Sequence, residues 1–327
     1  MTLHPAAVFL GGLVVLVLGA ELLLRGATRI AAMLGVKPIL IGLTVVAIGT
    51  SMPELAVGIT AALEDKGSLA IGNIAGTNIV NILLILGLSA AIRPLPLELR
   101  AIRLDVPVMI AAAIALFVMA LDGVLSRTEG LILFVASIVY IAALIWLSRR
   151  ESAAMKQEFA EEFSPQALGA GRGLARGAWN ALLLIVGMGL CVLGADLLVA
   201  GAVKLARIFG VSDAIIGLTI VAIGTSGPEL ATTVVATIKD DRDVAVGNLI
   251  GSSITNILVI LGLTCVAAPH GVDVSSDVLR IDLPLAAVVA IVCWPVFRSD
   301  RMVSRREGIL FVTAYLVYLA TLIFVRT

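Results

Sequence analysis

Two stretches sit in the middle of runs apolar enough to cross a bilayer, yet neither belongs in lipid. They are Gly49-Thr50-Ser51-Met52-Pro53-Glu54 and Gly224-Thr225-Ser226-Gly227-Pro228-Glu229. Each holds a helix breaker, two hydroxyls and a carboxylate. The proline removes a backbone donor and presses on the carbonyl four residues back, Gly49 or Gly224, so each run is predicted to break into two half-helices with exposed carbonyls. The first run, Pro38 to Leu63, is about 39 Å long as helix, which puts the break near the bilayer midplane. An ionisable group at that depth costs ~2.5 to 3.5 kcal/mol on insertion scales, so the arrangement is expected to bind something.

Composition sets the class. The chain is 60% hydrophobic and 14% charged, with a mean hydropathy of +1.11, which indicates a polytopic membrane protein with short loops. Its net charge is zero and it has no basic block, which argues against nucleic acid as a partner. Cys191, Cys265 and Cys293 lie scattered in apolar runs and read as small buried hydrophobes. Apolar spans are predicted at roughly 6 to 34, 38 to 63, 69 to 92, 103 to 121, 129 to 148, 178 to 209, 213 to 238, 244 to 267, 280 to 297 and 307 to 325. Polar residues 149–176 read as a linker loop.

The two halves are copies. At an offset of 175, GLTVVAIGTS from Gly42 matches GLTIVAIGTS from Gly217, and IGNIAGTNIVNILLILGL from Ile71 matches VGNLIGSSITNILVILGL from Val246. The offset drifts to 177 at Arg103 against Arg280 and to 178 at Ser126 against Ser304. The predicted fold is an all-α membrane protein of ten transmembrane helices, built as two five-helix repeats, residues 1–148 and 177–327. Five is odd, so the second repeat enters from the opposite side, an inverted topology with broken helices at the midplane. Of 23 Lys and Arg residues, 6 fall on the side of the N-terminus and 17 on the other. By the positive-inside rule the central loop is then cytoplasmic and both termini lie outside, with the cell membrane the expected location.

Thr50, Ser51 and Glu54 share one face if the broken turn stays near-helical. Asn73, Thr77 and Asn81 form a stripe at intervals of four, repeated as Asn248, Ser252 and Asn256. All are hard oxygen donors without histidine or cysteine, which favours calcium and sodium over zinc or copper. Gly72/Gly76 and Gly247/Gly251 have the spacing of close helix packing. The pairs Arg103/Asp105 and Arg280/Asp282 read as interfacial pairing and helix capping. Glu21 and Asp196 are candidates for a vestibule role, with Arg25 placed to pair with Glu21. A serine protease would need a histidine base, and His4 and His270 lie in loops or at span ends, so no enzyme is expected.

GTSMPEL…GNIAGTNIVNI and GTSGPEL…GNLIGSSITNI resemble the two alpha-repeats of the sodium/calcium exchanger branch of the cation/calcium exchanger superfamily. The resemblance covers nearly the whole chain. It implies a secondary active antiporter that exchanges sodium for calcium by alternating access; a calcium/proton antiporter is the alternative. The ligands it implies are Thr50, Ser51, Glu54, Thr77 and Asn81, then Thr225, Ser226, Glu229, Ser252 and Asn256, with backbone carbonyls near Ala47 and Ala222. Thr77 stands where relatives commonly have serine, and Asn256 where potassium-dependent relatives have aspartate. With two carboxylates, a single calcium leaves the site neutral, and a three-sodium load would make exchange electrogenic. The partners implied are the two transported ions and the lipid bilayer, with no cofactor; self-association is left open.

Overall fold

The computed structural model describes all residues except 1–3, 35, 163–172, 211–215, 217–219, 221 and 327. Its helices, in chain order, are α1 (Pro5–Leu34), α2 (Pro38–Thr50), α3 (Met52–Leu63), α4 (Gly67–Ile92), α5 (Ala101–Asp122), α6 (Arg127–Glu162), α7 (Gly173–Ile208), α8 (Ala222–Thr225), α9 (Gly227–Ile238), α10 (Arg242–Ala267), α11 (Val278–Ser299) and α12 (Arg305–Arg326). Among the described residues seven helices are long and apolar enough to cross a membrane, and the bent pair α2/α3 makes an eighth span. The seventh predicted span, 213 to 238, lies partly outside the described residues.

Both signature turns break their helices. α2 ends at Thr50 and α3 starts at Met52 with a 44° bend, and Ser51 between them leaves the helical region at φ −85°, ψ 8°. Ser226 does the same between α8 and α9 at φ −83°, ψ 14°. Pro53 and Pro228 fall in the first turn of the helix that follows, where the missing N–H has no intrahelical partner to lose.

The halves meet through backbone contact. A methyl added to Gly12 would lie 2.4 Å from Leu198 N, and one added to Gly187 would lie 2.3 Å from Leu23 N. Gly19 similarly faces Cys191, and Gly194 faces Leu16. As the number on α1 rises its partner on α7 falls, so α1 and α7, which are sequence copies, run antiparallel. Small residues allow this approach where apolar burial gives helices no reason to associate in lipid. The same reciprocity recurs between Gly87 and Gly308 and between Gly130 and Gly262.

Short strands clamp the ends in the same manner. β1 (Leu95–Pro96) pairs with β4 (Met302–Val303), and β2 (Val124–Leu125) with β3 (Val272–Asp273). Each joins loops that the charge count assigns to one side of the membrane. α4 and α10 form the centre, 72% and 83% buried against 28 to 39% for the other long helices.

Two local readings change, and two helix caps appear that the sequence reading did not name. Ser126 and Glu129 cap α6 reciprocally, with Ser126 N donating to Glu129 Oε2 at 2.8 Å and Glu129 N to Ser126 Oγ at 3.2 Å. Ser304 and Glu307 do the same for α12. Asp105 and Asp282, expected as caps, make no capping bond. A π-helical turn precedes each and directs the carboxylate inward, where Tyr140 Oη donates to Asp105 at 3.0 Å and Tyr318 Oη to Asp282 at 3.3 Å. Finally, α6 continues to Glu162 inside the segment read as a linker loop; ESAAMKQEFAEE is rich in good helix formers.

Gly187→Ala is expected to force α1 and α7 apart and cost ~1 to 3 kcal/mol of stability, measured as a lower unfolding temperature in detergent. Gly189→Ala, with nothing within 4 Å, should be neutral. Equal stability of the two variants would show that the helices are not in backbone contact.

Candidate functional site

The breaks turn polar groups from both halves onto the central helices. Thr50, Ser51, Glu54, Thr77, Asn81, Ser226, Glu229, Ser252 and Asn256 are all buried, and Thr225 is half-buried. Thr50 Oγ1 donates to Asn248 Oδ1 at 3.3 Å and lies 3.4 Å from Ser252 Oγ, reaching from α2 to α10. Ser51 Oγ donates to Glu229 Oε1 at 3.4 Å, so the break of one half touches the acid of the other. Glu229 also stands close enough to Glu54 to feel its charge. The Ala47 carbonyl accepts Ser51 N at 3.1 Å and lies 3.4 Å from Thr50 Oγ1. Ala222 opens α8, and its side chain lies outside those described.

Several buried oxygens find no partner. Among the expected ligands they are both of Glu54, Glu229 Oε2, the amide oxygens of Asn81 and Asn256, and Ser226 Oγ; Ser89 Oγ, Asp105 Oδ2 and Ser253 Oγ are also unpartnered. A buried polar atom left unpaired costs about 1 to 3 kcal/mol, and a charged one more. The six oxygens of the expected ligands come from both halves and are all hard donors. Among the described residues no group of three or more His, Cys, Asp or Glu gathers. Two carboxylates with neutral oxygens suit a hard ion. π-helical turns begin at Val80 and Asn256 and widen α4 and α10 beside the asparagines, as such turns often do at functional sites.

The arrangement is not symmetric. Thr50, Asn248 and Ser252 interlock, and Ser51 reaches Glu229, whereas Ser226 and Glu54, the corresponding pair, do not bond. Thr77 instead lines a cavity of about 90 Å³ with Gly72, Asn73, Gly76, Tyr315 and Tyr318. Asn248 is held by Thr232 Oγ1 at 3.0 Å and Thr233 Oγ1 at 3.2 Å, while Asn73 Nδ2 has no partner. Sequence explains the difference: Val57 and Gly58 stand where the second half has the two threonines.

A family model described as sodium/calcium exchanger protein matches residues 4–146 and 179–324. The chain belongs to the sodium/calcium exchanger family. It is 31% identical over 345 residues to the sodium/calcium exchanger MaX1 of Methanosarcina acetivorans, covering 97% of this chain and 98% of that one. It is 33% identical over 322 residues to the inner membrane protein YrbG of Escherichia coli, covering 98% and 97%. Its fold is similar to that of the sodium-calcium exchanger NCX_Mj soaked with zero Na+ and Ca2+, at a TM-score of 0.81 and 29% identity, covering 98% of this chain and all of that one. This exchanger is therefore an integral membrane antiporter of the cation/calcium type.

One site residue escaped the sequence reading. Asn256 Nδ2 donates to Asn78 Oδ1 at 3.1 Å, and Asn78 Nδ2 donates to the Ser253 carbonyl at 3.1 Å. With its amide nitrogen occupied, Asn256 can present only oxygen to the centre. The counterpart of Asn78 is Ser253, so no duplicated asparagine marks it. Glu21, a vestibule candidate, is held by Arg25 and by Lys239 at 2.6 Å, and Asp196 is exposed. Asn78→Leu removes the group that orients Asn256 and is expected to weaken calcium binding about 10- to 100-fold, measured by isothermal titration in detergent; unchanged affinity would mean that Asn256 needs no such support.

Proposed function

We propose that this exchanger moves calcium against sodium across the cell membrane by alternating access. The observation that carries the proposal is the set of unpartnered buried oxygens from Glu54, Glu229, Asn81, Asn256 and Ser226. In this reading they form one calcium or sodium site with Thr50, Ser51, Thr77, Thr225, Ser252 and the carbonyls of Ala47 and Ala222. Two carboxylates balance one calcium. Sodium, the weaker charge, would compete by number.

The architecture we infer for this is ten helices in two inverted repeats, residues 1–148 and 177–327, joined by 149–176. Its supports are the antiparallel packing of the sequence copies α1 and α7 and the reciprocal strand pairs. In an inverted repeat two mirror-related states have similar energy, because each half can adopt the other's conformation. The interlocked Thr50, Ser252 and Asn248 then form the closed side, and the cavity beside Thr77 leads to the open one. Exchanging these roles carries the ion across. The 17 to 6 split of basic residues puts the central loop in the cytoplasm and both termini outside. On this topology the cavity, near the start of α4 and the end of α12, approaches from outside.

If three sodium ions replace one calcium, each cycle moves one charge, worth ~2.3 kcal/mol per 100 mV. Calcium uptake into reconstituted vesicles at fixed pH is expected to require an outward sodium gradient and to rise when a potential positive inside is imposed, because three sodium ions leaving for one calcium entering carry one positive charge outward. Uptake driven by a proton gradient without sodium would indicate a calcium/proton antiporter instead. Sodium-driven uptake that ignores the potential would refute the charge balance.

A further inference from the structure

The exchange site uses none of the arginines at the end of α11. Arg298 and Arg301, with Arg103 from the first turn of α5, line one cavity of about 430 Å³ whose remaining walls are Leu99, Ile102 and Trp294. All three arginines are exposed, and no acidic residue lines the cavity. Asp300 is next to Arg301 in the chain but is not among the lining residues. The guanidinium groups of Arg103, Arg298 and Arg301 make no hydrogen bond or ion pair among the described residues, unlike Arg25, Arg93 and Arg242, which find carboxylates. Three like charges around one hollow repel one another, and an anion between them removes that cost.

The cavity lies where two spans end. α5 begins at Ala101 and α11 ends at Ser299, and the paired strands β1 and β4 fix the two loops against each other, with Leu97 N donating to the Arg301 carbonyl at 2.8 Å. Trp294 and the exposed Leu99 add the apolar and amphipathic surface typical of a membrane interface. Arg301 itself is held at φ 53°, in the left-handed region that a long side chain rarely occupies. Its counterpart in the first half is Gly123, at φ 88°, which takes this turn without strain. The counterpart of Arg298 is Leu121 or Ala120, depending on where the one-residue insertion falls, and that of Trp294 is Phe117. The duplicated fold therefore builds the hollow at one end only, and it does so with an arginine where glycine is the easier residue.

We propose that this cavity is a binding site for the phosphate of an anionic phospholipid. Arginine forks suit phosphate oxygens, and the apolar walls lie where the acyl chains leave the headgroup. Neutral phospholipid carries a phosphate too, but its cationic headgroup would be set among the three arginines, so the site discriminates by net charge. Arg301→Gly supplies the residue that the first half uses in this turn and so is suited to fold; Arg298→Gln removes a second charge without touching the exchange site.

The test uses the full chain purified in neutral detergent and titrated in mixed micelles with phosphatidylglycerol, with phosphatidylcholine, and separately with inorganic phosphate. Bound lipid is counted by native mass spectrometry, and unfolding temperature is recorded in parallel. The expected result is saturable retention of phosphatidylglycerol, at least tenfold weaker in the Arg298→Gln/Arg301→Gly double variant, with phosphatidylcholine and inorganic phosphate without effect. The single Arg301→Gly variant should unfold at or above the wild-type temperature without anionic lipid, yet lose most of the stabilisation that lipid confers. Equal phosphatidylglycerol binding by wild type and double variant would overturn the proposal. Inorganic phosphate binding with the same arginine dependence would reassign the cavity to a free anion, and equal retention of phosphatidylcholine would show that charge does not select the lipid.

Discussion

Two carboxylates buried in an apolar protein, each carried on a broken helix, set the terms for the rest of the structure. Among the described residues no cationic side chain pairs with Glu54 or Glu229, and three of their four oxygens have no hydrogen-bond partner. Burying one unpaired charge costs several kcal/mol, and bringing a second of the same sign beside it adds repulsion. Such a pair needs neutralising, by the cation of the proposed function or by protons, and a surrounding fold strong enough to hold it. The scaffold has that strength in its antiparallel glycine contacts, its central α4 and α10, and its paired loops.

The same requirement accounts for the irregular backbone. A regular helix has every carbonyl satisfied and offers an ion nothing. The breaks at Ser51 and Ser226 and the π-helical turns at Val80 and Asn256 are departures that fall at the site, where they turn hydroxyls and amides inward. Departures elsewhere, before Asp105 and Asp282, serve tyrosine hydrogen bonds that tie α5 to α6 and α11 to α12.

Much of this was legible in the sequence because duplication writes each element twice. The breaks at Pro53 and Pro228 and the polar stripes could be placed from spacing alone. What escaped was what duplication does not repeat or what depends on tertiary contact. Asn78 supports Asn256, but its copy is a serine, so the pattern hid it. Thr232 and Thr233 hold Asn248 through contacts between helices that no periodicity within one helix encodes. Asp105 sits in a sequence context suited to capping, and only the π-helical turn reveals that it faces inward. The glycines at Gly12, Gly19 and Gly26 recur every seven residues, a signal open to reading that was obscured by the apolar run around them. The helical extension to Glu162 was masked by its polarity, which separates membrane from water but not helix from loop.

The central claim is that the two signature turns build one site between them rather than one each. Equilibrium calcium binding to the purified wild type, Glu54→Gln and Glu229→Gln proteins in sodium-free buffer tests it directly. One calcium per chain in the wild type and its loss in either single variant is the predicted result. Two calcium ions per chain, with each variant keeping one at unchanged affinity, would contradict the account.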